Sequence, residues 1–281
     1  MLGLDLPQFN QTLKLMLKRL FATSALVLGL GVAGFAQKVE KPWALGITVG
    51  GAFGLGDFGK TQKSTDAAKE NGFASYGYTA NVHGAYYFHP NIALAARVGY
   101  NTFFTNTSKY QEDAKSNYNR TGYTQANLEA TGGIYSGINA LIGPRGAIQL
   151  GGIELYLQPM AGYSTMLASD LIVNSREVKT GSPEQESETS IKSPTVNSGL
   201  AYGASLGLRT SLSASVGFFL DLNYLNLGNR DYNYTTTSSE SKVVVRPGGA
   251  LATENSNVTT SAKSKIDISS ASVNLGISIH F

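Results

Sequence analysis

Cysteine is absent from the 281 residues of this chain, and the sequence holds only three histidines and one tryptophan. Without a thiol, a lipoprotein anchor, a thiolate metal site and a disulfide framework are all excluded. Charged residues make up only 15% of the sequence, and the formal net charge is +3. No basic block is interleaved with aromatic residues, so nucleic acid is not an expected partner.

Glycine is the residue type that the sequence has in excess, with 32 copies. So much glycine with so little charge is unusual for a soluble α/β enzyme. The composition therefore favours an all-β fold, in a single domain over residues 37–281.

A long apolar run is also missing, because the longest, Leu20–Val32, is shorter than the ~20 residues that a membrane-spanning helix needs. It follows the basic pair Lys18-Arg19 and precedes the small-x-small pattern Gly34-Phe35-Ala36. This order predicts a secretory signal peptide over residues 16–36, and a transmembrane anchor is the alternative. Residues 1–15 are then an upstream extension of the reading frame.

The clearest pattern in the chain is a strict alternation over Ala271–Phe281. Strand side chains alternate between two faces with period 2. About 11 residues rising ~3.3 Å each, tilted by about 45°, cover the ~25 Å apolar band of an outer membrane. One face of this segment is small and polar, and the other is apolar, with Val273, Leu275, Ile277, Ile279 and Phe281.

Seven further segments alternate in the same way, so the sequence predicts eight strands. Pro159, in the fifth of them, removes a ladder N–H and predicts a bulge or a kink. The seven are Trp43–Phe53, Gly77–Phe88, Ile92–Phe104, one within Leu128–Ile142, Ile153–Leu167, Leu200–Leu212 and Val216–Tyr224.

The connections between these strands alternate long and short, as in outer-membrane barrels with long extracellular loops and short periplasmic turns. The last long one contains Val243-Val244-Val245 and is expected to project a short hairpin. The short connections are 89–91, 143–146 and 213–214, and the long ones are 54–72, 106–120, 170–195 and 230–265.

The polar parity of the strands carries very few charges. A soluble barrel turns its charged face to water, whereas a membrane barrel turns its apolar face to lipid. We therefore place the polar parity in the lumen, where unpaired charges are costly and Glu154 is expected to pair with Arg209, and Arg97 to lie near Glu129. The predicted lumen network is Arg97, Glu129, Glu154, Arg209, Asp221, His83 and His280.

Aromatic residues near strand ends are typical of the two interfacial girdles of membrane barrels, here Trp43, Phe53, Phe88, Phe104 and Phe218. With the strand number, the loop asymmetry and the final Phe281, the chain resembles the small OmpA/OmpX-like β-barrel family of Gram-negative outer membranes.

The resemblance implies an eight-stranded antiparallel up-and-down transmembrane β-barrel in the cell outer membrane. It implies lipid partners that include lipopolysaccharide. It also implies that Ile277, Ile279 and Phe281 form a signal read by the barrel-assembly machinery. No peptidoglycan-binding domain is expected after Phe281.

Three functions fit such a barrel. The first is an envelope-structural or surface-interaction role, in which the extracellular loops bind an external ligand. The second is a narrow channel for small solutes. The third, an enzyme, needs a histidine paired with a serine or aspartate, but His89 lies in a turn and His83 and His280 share the lumen parity. We expect no catalytic residue, no cofactor and no metal site.

Overall fold

The computed structural model describes residues 40–61, 71–120, 123–179, 185–213, 215–245, 247 and 251–281. The predicted signal peptide and upstream extension lie outside these residues. Among the described residues, no helix is long and apolar enough to cross a membrane.

Ten strands and two helices make up the described chain. In order they are β1 Trp43–Leu55, α1 Gly56–Gly59, β2 Ala74–His89, β3 Ile92–Thr105, α2 Thr107–Arg120, β4 Tyr123–Gly132, β5 Ile134–Leu150, β6 Ile153–Ala168, β7 Leu171–Lys179, β8 Gln185–Ser211, β9 Val216–Val245 and β10 Leu251–His280.

Eight of the strands close into a ring in the order β1-β2-β3-β5-β6-β8-β9-β10, each antiparallel to its neighbours. The ring closes where β10 pairs with β1, from Ala44↔His280 to Leu55↔Ser269. Beyond this ladder, Trp43 and Phe281 exchange two backbone hydrogen bonds of 3.0 Å. The predicted eight-stranded antiparallel barrel is therefore confirmed.

The apolar parity faces outward around the whole ring. Ile47 is 57% exposed while the next residue, Thr48, is 2% exposed. Such alternation follows from the period of 2, and it leaves a continuous apolar outer wall and a polar interior.

The two ends of the barrel differ sharply. At the short-turn end, strands are joined at 90–91, 151–152 and 212–215. At the long-loop end, β8, β9 and β10 run on past the last β1 pair, Leu55↔Ser269, and β7 and β4 add to β8. The result is a five-stranded projecting sheet in the order β4-β7-β8-β9-β10, in which β10 continues past the rim from Ser269 to Leu251, a strand length of about 60 Å at ~3.3 Å per residue.

Two long segments predicted as loops, 170–195 and 230–265, are therefore mostly strands. The short hairpin expected near Val243 is the tip of a ladder that pairs β9 with β10 from Val216 to Val245. Both faces of these strands lack the apolar alternation that marks a barrel strand, and their threonines and valines still favour extended backbone. Another segment predicted as a loop, 106–120, contains α2.

The barrel strand predicted within Leu128–Ile142 is present as β5, but it begins only at Ile134, because the chain breaks at Gly132-Gly133. Both glycines have positive φ, +88° and +76°, a region that other residues rarely adopt. The segment before the break is β4 of the projecting sheet, and the segment after it is the barrel strand β5.

The turn predicted at 143–146 is also wrong, since these residues lie inside β5 and the chain turns at Gly151-Gly152. Pro144 and Pro159 lie opposite each other on β5 and β6, where neither can donate a ladder hydrogen bond. The β5–β6 register is the same on both sides of this point, and the β6–β8 register runs straight through Pro159↔Ala204. The bulge expected at Pro159 is therefore absent, and the irregularity of β6 lies between Ser164 and Met166.

Candidate functional site

The short-turn end of the lumen is bound together by an ion pair. Glu154 on β6 and Arg209 on β8 are direct cross-strand partners, and their side chains form a salt bridge. Tyr87 Oη accepts a hydrogen bond from Arg209 Nη1 at 3.0 Å and donates to Glu154 Oε1 at 3.3 Å. Gln149 Nε2 donates to Glu154 Oε2 at 2.8 Å. The pair expected from the sequence is present, and both carboxylate oxygens of Glu154 and both terminal nitrogens of Arg209 form hydrogen bonds in the lumen.

Arg145 is a lumen residue that the sequence analysis missed. Its Nε and Nη2 atoms both donate to Gln158 Oε1, at 2.9 and 2.7 Å, and Nη1 donates to Tyr87 Oη at 3.2 Å. The guanidinium carbon lies 4.2 Å from the centroid of the Tyr156 ring. Arg145 is 5% exposed and links the ion pair to the middle of the lumen.

Asp221 and His83 meet at mid-height in the barrel. Tyr156 Oη donates a hydrogen bond to Asp221 Oδ1, and Asp221 Oδ2 lies 3.9 Å from His83 Nε2. The same His83 nitrogen lies 3.1 Å from Thr48 Oγ1. A catalytic relay needs the two ring nitrogens of a histidine to face a nucleophile and an acid separately. Here one nitrogen faces both groups, so this cluster has the geometry of a packing network.

Arg97 lies 3% exposed in the lumen, away from the partner predicted for it. Its Nη1 donates to Asn223 Oδ1 at 2.7 Å and to Ser205 Oγ at 3.3 Å. Glu129 is exposed on β4, in the projecting sheet, so its assignment to the lumen is wrong. The reason is the break at Gly132-Gly133, which carries the preceding residues outside the barrel.

Closely packed apolar side chains fill the long-loop end of the lumen. Phe58 on α1 is fully buried, with its ring centroid 5.2 Å from that of Phe103 and 5.1 Å from that of Tyr135. The wall around this ring is apolar. Its residues lie on the barrel strands and on the lowest part of the projecting sheet. They include Leu141, Met160, Met166, Ala201, Leu225, Leu227, Ile266 and Ile268.

The opposite end of the lumen is open. A cavity of about 390 Å³ lies at the short-turn end and reaches Glu154 and Arg209. Lys41 and the half-buried His280 also line it. The lumen is thus open at the short-turn end and closed by apolar packing at the long-loop end.

The predicted girdle residues lie on the outer wall near the two rims. Trp43, Phe88 and Phe218 are exposed at the short-turn end, where Trp43 packs on Tyr86 with centroids 4.8 Å apart. Phe53 is exposed at the long-loop end, and Phe104 packs there against Tyr76. Ile277, Ile279 and Phe281, predicted as the assembly signal, lie on the same outer wall and are about half exposed.

The outer strand of the projecting sheet presents a polar surface with few charges. Residues 253–261 of β10 are exposed without interruption, so both faces of this outer strand are open to solvent. They read Thr-Glu-Asn-Ser-Asn-Val-Thr-Thr-Ser, with one charge in nine residues. Among the described residues, no group of three or more His, Asp or Glu is placed to hold a metal ion.

Comparison with known proteins agrees with this architecture. The sequence model described as "Outer membrane protein beta-barrel domain" matches residues 35–229. None of the curated proteins matches the chain.

Several solved structures are similar in fold. OprG from Pseudomonas aeruginosa is 11% identical, with 86% of this chain and 98% of that chain covered and a TM-score of 0.44. A major outer membrane protein from Thermus thermophilus is 11% identical, with 85% and 99% covered and a TM-score of 0.37. Ail from Yersinia pestis is 14% identical, with 86% and 99% covered and a TM-score of 0.32.

The family match covers more than half of the chain. The closed eight-stranded ring and its apolar outer wall are consistent with that family. The long-loop end is therefore extracellular and the short-turn end periplasmic. The chain belongs to the outer membrane protein beta-barrel domain family, and it is a small β-barrel of the Gram-negative outer membrane.

Proposed function

We propose that this protein is a surface-interaction protein whose closed barrel anchors the projecting sheet as an extracellular binding surface. The observation that carries the proposal is the continuation of β8, β9 and β10 beyond the rim, with β10 exposed on both faces over residues 253–261. A turn that only joined two barrel strands would need a few residues, and here the two strands run on together for about 60 Å.

The surface chemistry indicates the class of ligand. The exposed strand offers hydroxyl and amide groups with few charges, which suit a neutral partner that forms hydrogen bonds, such as a glycan. Polyanions are disfavoured, because salt-dependent capture of a polyanion relies on clustered lysine and arginine.

Two membrane partners belong to the same proposal. The half-exposed apolar wall suits outer-membrane lipid, including lipopolysaccharide in the outer leaflet. The barrel-assembly machinery is proposed to recognise Ile277, Ile279 and Phe281 on the closing strand. No cofactor is part of the proposed function, and the absence of catalysis stays a prediction.

The narrow channel is the alternative, and the arrangement of the lumen argues against it. Phe58 and the apolar wall close the extracellular end, and the arginine-rich network fills the middle. Eight strands enclose an interior just wide enough for side chains to fill.

The test is to shorten the β9–β10 hairpin at matched positions. Replacing residues 233–263 by a short glycine-rich turn keeps the Tyr232↔Ser264 pair and the whole barrel ladder. Cells that express the wild-type or trimmed protein are applied to immobilised neutral glycans and to uncoated surfaces. We expect glycan retention to fall to the vector level on trimming, while the heat-modifiable gel shift stays unchanged. Equal retention of both proteins on every surface would overturn the proposal.

A further inference from the structure

The side chain that closes the extracellular end of the lumen comes from a connection rather than from the barrel wall. Phe58 lies on the single helical turn α1, and its ring is fully buried. Phe103 and Tyr135, which contact it edge to face, lie on β3 and β5. The rest of the wall also comes from paired strands. The apolar wall at this end, which we call the apolar cup, thus surrounds one ring that is carried on a separate element.

The element that carries Phe58 contacts the barrel through this ring and through its backbone, since a Cβ on Gly59 would lie 2.4 Å from the Gly54 carbonyl oxygen. The hydrogen bonds of Asp57 join α1 to Lys60 at 2.5 Å and to the Gly72 N–H at 3.1 Å, both in the same connection. Glycine backbone bounds the ring on one side, since a Cβ on Gly72 would come within 2.6 Å of Phe58 Cδ2, and the rings of Phe103 and Tyr135 contact it on others. Withdrawal of the ring would leave the hydrogen bonds of the barrel ladder intact.

Unusual backbone occurs at the first residue of this element and immediately before β2, where the chain returns to the barrel. Gly56, where the chain folds back over the rim, has a φ of +55°. Phe73, on the returning side, has a φ of +49°, the one residue other than glycine with positive φ among the described residues. A bulky side chain in this region marks strain, and strain of this kind collects at ligand clamps and switches. Packing holds Phe73 in place, with its ring 5.3 Å from that of Tyr110.

We propose that the apolar cup is a binding site for a small aromatic molecule, and that Phe58 is its built-in placeholder. The ligand takes the position of the Phe58 ring and the same edge-to-face contacts with Phe103 and Tyr135. As it binds, α1 swings outward about Gly56. The occupant is a single benzene-sized ring, because the cup is shaped around one ring and is otherwise filled.

The experiment uses 4-fluorophenylalanine incorporated at one position of the full-length protein in lipid nanodiscs, with toluene as the probe. The ¹⁹F resonance of a label at Phe58 is expected to move from a buried to a solvent-exposed shift as toluene is added. A label at Phe103 is expected to change shift and stay buried, because β3 remains in the wall. A label at the lipid-facing Phe53 measures toluene that merely dissolves in the bilayer.

A second variant tests the placeholder role. Phe58→Ala removes the competing ring, so toluene should bind more tightly, by about 10- to 100-fold if the wild-type cup is vacated roughly 1–10% of the time. Its affinity is read from the Phe103 label. If Phe58→Ala does not fold, as judged by its gel shift, the wild-type labels decide the question alone.

Three results would overturn the inference. The Phe58 label keeps its buried shift at saturating toluene, the Phe103 label responds no more than the Phe53 label, or Phe58→Ala binds toluene while the wild-type Phe58 label does not move. The last result would make Phe58 a fixed part of the wall. Since the surface proposal is tested by trimming the hairpin, either proposal can fail without the other.

Discussion

Glu154 and Arg209 face each other directly across β6 and β8, and their ion pair closes the network at the periplasmic end of the lumen. Removing one partner of a buried pair lowers the free energy of unfolding by about 3–5 kcal/mol, because the other charge is left buried without a counter-ion. Glu154→Gln is therefore expected to destabilise the barrel by up to this amount, since Arg209 would lose its counter-ion while its hydrogen bond to Tyr87 remains.

A double-mutant cycle with Arg209→Met isolates the interaction between the two side chains. Urea unfolding in lipid vesicles should give a coupling energy of about 0.5–3 kcal/mol, and the double variant should recover part of the loss. A coupling of zero would mean that each charge is satisfied by other partners.

Gly50 and Gly51, neighbours on β1, provide a matched pair of substitutions. A Cβ on Gly50 would lie 2.0 Å from the Val273 carbonyl oxygen and 2.3 Å from Asn274 Oδ1, whereas a Cβ on Gly51 meets nothing within 4 Å. Gly50→Ala should cost about 1–3 kcal/mol of unfolding free energy or block folding. Gly51→Ala should be neutral or slightly stabilising, by about 0.5 kcal/mol. Equal unfolding midpoints for the two variants would contradict the close approach of β1 and β10.

Phe281 combines two roles that can be separated. Its backbone exchanges hydrogen bonds with Trp43 across the closing seam, and its ring faces lipid. Deleting the residue should strongly reduce outer-membrane insertion in cells. Phe281→Ala keeps the backbone bonds, so it should lower insertion in cells but leave refolding in detergent nearly unchanged. The measurement is the folded fraction by gel shift in both settings. If Phe281→Ala inserts like the wild type, the ring is not part of an assembly signal.

The sequence predicted the barrel well because lipid imposes a strict pattern on it. Each wall strand must turn an apolar side outward, so the period of 2 is visible without a structure. In the projecting sheet the pattern disappears where both faces meet water, as over residues 253–261 of β10. On β4 and β7 one face is buried, with Leu128, Ala130 and Val173, but the segments are too short to show a clear period. The segment of β7 and the long ends of β9 and β10 were therefore predicted as loops. The threonines of β9 and β10 were the remaining signal for those strands.

The lumen was predicted only in part, because local composition pointed the wrong way at two places. Residues 143–146, Gly-Pro-Arg-Gly, have the composition of a turn, yet Gly143 is there because a Cβ would lie 2.0 Å from the Pro159 carbonyl oxygen. Because these residues were predicted as a turn, Arg145 was not assigned to the lumen. Glu129 was misplaced because the positive φ of Gly132 and Gly133 is a property of the fold that parity does not reveal. Phe58, alone in a polar stretch, gave no periodic signal.

The central claim is that the barrel does not conduct solutes and that its proposed surface interaction takes place outside the membrane. Planar-bilayer conductance of purified, folded protein tests this most directly. We expect the wild type to show no reproducible conductance steps above the bare bilayer, because Phe58 and the Arg97–Asn223 and Arg145–Gln158 contacts obstruct the lumen at successive depths. Regular, salt-dependent steps from the wild-type protein would contradict the closed lumen and favour the channel.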